Sequence, residues 1–519
     1  MKYTKLLIAA LAIFTVTSCV DLDTAPEGGV VTKDQKDEVA KYDPAKLAAD
    51  VNAMYGNLIR YATLGSSSNH FDFGYPSIAM QLDACGQDVV ASNSGYNWFS
   101  ASLVYSDRIY TSSRALFLWR LNYNHIKAAN DLISSLPEDT QDPLAKAYLG
   151  QGFVNRAFGY FNLVQVFQFN YVGNESKPAI PIVLWDDPAE KRNNNPRASV
   201  EEVYTLILSD LEKGIRLLEG FNRPDNGVID QRVAYGIRAR VNLVMQKWAD
   251  AAADAAKAKA GFTPYSREAV SKPAFNNASN NQSWLWGALV SETNDVVLTG
   301  IINWPSHFCS LTGNGYTTGT ATYRMINSKL WEQIPGTDVR KGWWVDQNLR
   351  SPLVPDAVGP AYRFTPYTNV KFGAYEDIIG RTMNASDWPM MRVEEMILIE
   401  AEGLAMSGQI APAKTLLEDF VKTYRDPMYS CTASSATAMQ DEIWLQRRVE
   451  LWGEGHSFFD IMRLKKPIER KGTNFSVDVQ YSIPAEAKIL LYRIPSAEIN
   501  ANGGISEEDN NESVPAPTV

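Results

Sequence analysis

Cysteine and histidine are scarce in this chain of 519 residues, with four of each. The cysteines, Cys19, Cys85, Cys309 and Cys431, are far apart. Such spacing builds no disulfide framework, so the fold is expected to rest on its hydrophobic core. The histidines, His70, His125, His307 and His456, show no paired spacing, and neither H-E-x-x-H nor C-x-x-C occurs. A zinc or catalytic metal centre therefore has no support in the sequence. Positive charge is also short, with 49 Lys and Arg against 59 Asp and Glu. A nucleic-acid partner needs a basic surface to neutralise phosphates, so no such partner is expected. Beyond the leader, no run of eighteen or more uncharged apolar residues occurs that would cross a bilayer. GNGYTTG, residues 313–319, is not a G-x-G-x-x-G and follows no βα unit, and no nucleophile elbow is present.

What is present begins with MKYTKLLIAALAIFTVTSCVDLDTAP. Lys2 and Lys5 form a basic start, and Leu6 to Phe14 an apolar stretch of signal-peptide length. No A-x-A-like cleavage site follows. TVTSC instead resembles a bacterial lipobox, with residues 1–18 as a lipoprotein signal peptide and Cys19 as the lipidated residue. Lipid chains add about 0.8 kcal/mol per buried methylene, so two or more hold a protein at a membrane without a spanning helix. Residues 19–43, with Asp21, Asp23, Pro26 and Gly28-Gly29, read as a polar tether. The alternative is an ordinary signal peptide with an incidental cysteine.

The composition of the body is globular, with 45% hydrophobic residues. Residues 44–260 carry helical periodicity. Trp119, Tyr123, Ile126, Ala129, Ile133 and Leu136 recur every three or four residues, and Asp142-Pro143 restarts a helix striped by Leu149, Phe153, Ala157, Tyr160, Val164 and Phe167. Two long helices joined by a short turn make an αα-hairpin. Ser199 to Glu202 reads as a capping box ahead of Val203, Ile207, Leu211 and Ile215. Asp230 caps a partner helix with Ile237, Val241 and Val244 on one face, and WADAAADAAKAKA follows. Hairpins that each bury a face against the next suggest tetratricopeptide-like stacking, although no strict 34-residue period occurs. Residues 261–388, rich in Asn, Gly, Thr, Trp and Tyr, read as a loop-rich aromatic insert, with SWLWGALV as a short buried strand and a helix near 321–334. Helices resume near Trp388. DEIWLQRRVELWGEGHSFFDIMRLK reads as one helix, and the acidic tail 505–519 as frayed.

Several segments carry a family resemblance. RRVELWGEGHSFFDIMR, residues 447–463, resembles the C-terminal signature of the SusD/RagB family. YRIPSAEINAN (492–502) resembles its closing segment, MRVEEMILIEAEGLAMSG (391–408) its penultimate helical hairpin, DVRK (338–341) a short loop motif, and CVDLDTAP its lipidated start. The matches run in family order from Cys19 to about residue 504. The resemblance implies a mainly α fold: tetratricopeptide-like hairpins in a right-handed superhelical scaffold, 44–260 and 389–504, around the insert at 261–388. It implies a non-catalytic glycan-binding lipoprotein on the outer face of an outer membrane. That protein would touch the membrane through its lipid alone and serve a SusC-like TonB-dependent transporter. Some relatives handle peptides. No cofactor is implied, and nothing in the sequence supports calcium.

Sugar rings offer apolar C–H faces ringed by hydroxyls, which suit tryptophan and tyrosine. The first candidate is SNSGYNWF, residues 93–99, with Tyr96, Asn97 and Trp98. Starch-binding members carry a stacking tryptophan in a glycine-containing loop after a helix, and Trp98 matches that position. Phe99, Ser100, Ala101 and Ser102 replace the lysine and asparagine that follow it there, so starch specificity does not carry over. The alternative packs Trp98 beneath its own loop. Trp304, His307 and Tyr316, in NWPSHFCSLTGNGYTT, are candidates for a facing wall, with ordinary loop packing as the alternative. Trp343, beside Trp344, is a further candidate for exposure; Trp284 and Trp286 read as core. His307 near Cys309 lacks a third orienting group for a nucleophile pair. Glu450 and Glu454 are spaced for a glycosidase pair, yet the helix is laced with arginine and reads as structural. Glu394, Glu395, Glu400 and Glu402 read as a charged helical face. A glycoside hydrolase and a peptide-binding scaffold remain the competing functions.

Overall fold

The computed structural model describes residues 32–279 and 281–519. The leader, Cys19 and the first part of the tether lie outside the described residues. The later part of the expected tether is not extended: α1, Lys33–Ala40, starts in a capping box formed by Thr32 and Gln35, and Ala40 is fully buried. Helix α2, Ala48–Gly56, and α3, Tyr75–Cys85, follow.

The hairpins form where the periodicity places them. Helix α4 runs Ser113–Ser134, with the Ser112 hydroxyl accepting from the Arg114 and Ala115 amides. Helix α5 runs Pro143–Phe167, and the Asp142 carboxylate caps it in the same way. Helix α6, Val200–Leu217, opens with the expected Ser199–Glu202 box, and α7, Gln231–Val244, with the Asp230 cap. Each cap satisfies amides that the first helical turn leaves unpaired. Helix α8 is Trp248–Ala258. Neighbours stack in order, α4 on α5, α5 on α6, α6 on α7 and α7 on α8. A Cβ on Gly214 would lie 2.4 Å from Val154 Cγ2, so glycine is what lets α6 approach α5 so closely. Because α5 has neighbours on several sides, it buries more than its apolar stripe. Arg156 on α5 is buried with it and forms two 2.8 Å bonds to Asp210 of α6.

The insert is made of short pieces. Helix α9, Trp304–Phe308, and α10, Tyr316–Thr320, pack on each other. Strand β1, Val89–Val90, pairs with β3, Met325–Ile326, and β2, Trp284–Ala288, with β4, Trp388–Arg392. The strand expected in SWLWGALV is therefore present. Trp388–Arg392 is also a strand, and the helix expected there, α11, begins at Val393 and ends at Met406. The helix expected over 321–334 is reduced to Ser328–Glu332.

Helix α11 packs on α8 and carries the stack into α12, Ile410–Tyr424, and α13, Ala436–Glu450. The result is a mainly α, tetratricopeptide-like array. The signature segment is not one helix. It breaks after Glu450, where Gly453 and Gly455 adopt φ of 77° and 85°, and resumes as α14, Ser457–Arg463. Positive φ carries no steric penalty at glycine. A Cβ on Gly455 would also lie 2.6 Å from Ala79 Cβ of α3.

The charged face expected of α11 is largely internal: Glu394, Glu395 and Glu402 are buried. Glu450 accepts from Arg340, Arg392 and Arg425, and Glu454 from Arg392 and Lys371. Glu394 pairs with Arg392 and Arg425. The network thus ties insert, strand β4 and helices α11 and α13 together. Burial pushes the Glu450 carboxyl up, but Arg425, Arg392 and Arg340 outweigh it and hold it far below the usual range.

The tail expected to fray is held through residue 512. Asn511 Nδ2 donates to Phe167 O and Tyr492 O, Asn510 bonds both the amide and the carbonyl of Ile494, and Lys488 pairs with Glu512.

Candidate functional site

Four rings from four chain segments meet at one place. His70 comes from the loop between α2 and α3. Trp98 follows β1, His307 is on α9, and Tyr316 opens α10. The His70 imidazole stacks on Trp98 with centroids 4.7 Å apart and planes at 17°. The His307 imidazole stacks on Tyr316 at 4.7 Å and 21°. Tyr316 stands edge-on to Trp98 at 6.3 Å. Two hydrogen bonds lock the set: the Tyr316 hydroxyl bonds His70 Nδ1, and His307 Nε2–H donates to the His70 carbonyl at 3.0 Å.

Local sequence explains how each ring is presented. Asp72 accepts the Thr63 and Leu64 amides and draws the His70 loop into a fixed shape. Asn97 is 1% exposed, with Nδ2 donating to Ser92 O and Oδ1 accepting from the Phe99 amide and Arg324. Asn97 therefore shapes the loop from inside and, contrary to the expectation from sequence, does not face a ligand: both polar ends of its amide are spent within the fold. Arg114 donates to the Trp98 carbonyl at 2.7 Å. Asn303 caps α9, and Gly315 lets α10 approach it, since a Cβ there would lie 2.5 Å from Ser306 Cα.

Exposure divides the remaining candidates. Trp98 and His70 are half-buried, Tyr96 is 60% exposed, and Tyr316 keeps 9%. His307 is fully buried and acts behind Tyr316, so it does not face a ligand. Burial pushes the His307 imidazole well below its ordinary value, and the Arg324 charge adds to this. Trp304 does not line a wall with Tyr316. It is 2% exposed, packs edge-on against Phe372 and Trp388, and donates its indole N–H to Ser386 O. Trp343 is likewise core, at 0%, with its indole N–H on Val270 O. Burial and a satisfied indole N–H leave neither ring anything to offer a ligand. His70 carries no motif that would have singled it out. Trp185, 49% exposed in the loop after α5, was also outside the sequence candidates.

The arrangement presents a tryptophan backed on one side by an imidazole, flanked by a phenol and neighboured by an exposed tyrosine. Such a surface suits the C–H face of a sugar. A separate concavity of about 740 Å³, lined by Phe169, Lys177, Arg197, Lys488 and Asn511, involves none of these rings. Among the described residues no group of three or more His, Cys, Asp or Glu is placed to hold a metal ion.

Comparison with known proteins gives consistent matches. Residues 66–243 match the family described as "Starch-binding associating with outer membrane", and residues 327–511 match the SusD family. His70 and Trp98 fall in the first stretch; His307 and Tyr316 lie between the two. A SusD-like protein of Formosa agariphila is 23% identical over 416 residues, covering 70% of this chain and 74% of that protein. Among solved structures, a SusD-like carbohydrate-binding protein from Bacteroides vulgatus superposes with a TM-score of 0.73 at 23% identity, covering 90% of this chain and 98% of the other. A SusD superfamily protein from Bacteroides thetaiotaomicron gives 0.73 at 20% identity, covering 93% and 100%.

Proposed function

Because the chain belongs to the SusD/RagB family, we propose that it is a carbohydrate-binding lipoprotein of the outer membrane, anchored through Cys19 and facing outward. In this reading it binds a glycan at the Trp98 platform without cutting it and passes it to a SusC-like TonB-dependent transporter. The observation that carries the reading is the half-buried Trp98, held between His70 and Tyr316. The carboxylates spaced for hydrolysis do not compete with it. Glu450 and Glu454 are buried and bonded to arginine and lysine, leaving no face for a scissile bond or a water. No helix among the described residues is long and apolar enough to cross a membrane, which is compatible with a lipid anchor.

The test is affinity electrophoresis of residues 20–519 through gels holding amylopectin, laminarin, xylan, mannan or polygalacturonate. Retardation by at least one glycan is expected. Trp98→Ala should weaken it about tenfold or more, as loss of a central aromatic anchor does, with no reducing ends released. Retention that survives Trp98→Ala would move the site elsewhere, and released reducing ends would make the protein an enzyme. EDTA is expected to leave retention unchanged. Co-purification with a transporter from membranes, lost on Cys19→Ala, checks anchor and partner.

A further inference from the structure

We propose that His70 is a positioning residue that sets the hydrogen-bond polarity of the platform: Tyr316 donates its hydroxyl hydrogen to neutral His70 Nδ1 and meets a ligand through its oxygen as an acceptor, and protonation of His70 reverses that bond. The ligand in this statement rests on the glycan reading above; the bond polarity does not.

The geometry leaves the hydroxyl hydrogen as the free variable. The Tyr316 ring is clamped flat against His307, whose Nε2 must carry its hydrogen because it faces the His70 carbonyl. His307 Nδ1 is then bare, and it has no partner. This fixes the phenol plane and the His70 backbone together. The phenol oxygen sits against His70 Nδ1. The Trp98 indole N–H is shut off from solvent and has no hydrogen-bond partner, and its ring stands edge-on to Tyr316 at 6.3 Å. Burial raises the phenol's pKa, and the neighbouring indole N–H only partly opposes this. An indole N–H only donates, whereas a phenol donates one hydrogen and also accepts. Committing the phenol hydrogen to His70 turns its lone pairs toward Trp98 and toward whatever docks there.

That polarity selects a class of ligand. An acceptor oxygen pairs with a sugar hydroxyl, which can donate. It repels a carboxylate, which only accepts when ionised. At neutral pH the platform is therefore built for neutral hydroxylated sugars over uronates at this position. Protonated His70 would carry charge and hand Tyr316 a hydrogen to donate, and both effects favour a carboxylate. The groups facing His70 are Tyr316 and Trp98, with His307 behind its carbonyl and Arg324 beyond His307. In its own loop Asp72 is occupied by the Thr63 and Leu64 amides, and Arg114 is held on the Trp98 carbonyl. Among the described residues no carboxylate pairs with the imidazole. Burial lowers its pKa from the ordinary 6.5, so the reversal belongs below that pH.

The test uses residues 20–519 with ¹⁵N-labelled histidine. Only four imidazoles contribute, and His70 is assigned by the signal lost in His70→Gln. At pH 7.5 the proton should reside on Nε2 of His70 in about tenfold excess, the scale of one net hydrogen bond. A predominance of Nδ1–H, or an even mixture, overturns the proposal. A second measurement compares retention by amylopectin and polygalacturonate at pH 7.5 and 5.5. Wild type should shift severalfold toward polygalacturonate on acidification. His70→Asn, whose amide does not titrate between these pH values, should not shift. Equal shifts in both proteins would overturn the polarity role. A chain that retains neither polysaccharide would count against the glycan reading, while the tautomer still decides the proposal.

Discussion

Two regions of this protein concentrate unusual side chains, and they use them oppositely. Beneath the signature segment, Arg340, Arg392, Arg425 and Lys371 face Glu394, Glu450 and Glu454, all buried and all paired. At the platform, His70, Trp98 and Tyr316 stack on or bond one another, yet the set keeps an open side. The first region spends all its bonding capacity on itself and holds the fold. The second leaves some unspent.

The sharpest way to break this contrast is to unpair the network. Glu450→Gln leaves three arginines short of charge and should destabilise by about 3–5 kcal/mol, measured by urea unfolding; a change under about 1 kcal/mol would mean the network is solvated. Trp304→Ala should cost about 3–5 kcal/mol through the cavity it leaves. Losing glycan retention at unchanged stability would instead return Trp304 to the site. Next is acid. Burial lowers His125 and His456 to about 4, the Glu395 charge only partly opposing this at His456. Both are neutral when folded and titrate near 6.5 when unfolded. Their stabilisation is complete above pH 6.5 and is lost as pH falls toward 4, by up to about 3 kcal/mol for each. Urea midpoints that stay flat from pH 7 to 4.5 would contradict that burial. The smallest effect belongs to Tyr96→Ala: stability within about 0.5 kcal/mol of wild type, with glycan retention modestly reduced. A fold defect would show that the exposed ring is structural.

The same contrast explains what could be read in the sequence. Hairpins α4–α5 and α6–α7 were legible because period and caps agree, as at Ser199 and Asp230. Strand β4 was not, because WPMMR continues without a break in hydrophobicity into α11. Arginine and glutamate a turn apart look alike on a wet face and in a buried network, so the ion pairs of Glu450 and Glu454 were invisible. At the platform, Trp98, His307 and Tyr316 were found through their loops, but Trp304 and Trp343 share that composition and are core. His70 lies 28 residues before Trp98 and 246 before Tyr316, and nothing local marks it.

The anchored tail bears on how the chain folds. Asn511 bonds Phe167 across 344 residues, and Tyr492 bonds Gln81 across 411. Contacts that span most of the chain form late, because loop closure must precede them. The long hairpins can nucleate early, but the ends of α3 and α5 stay uncovered until residues 492–511 arrive. Truncation before residue 505 should therefore leave a collapsed, helical chain that matures slowly and aggregates, rather than a smaller native protein.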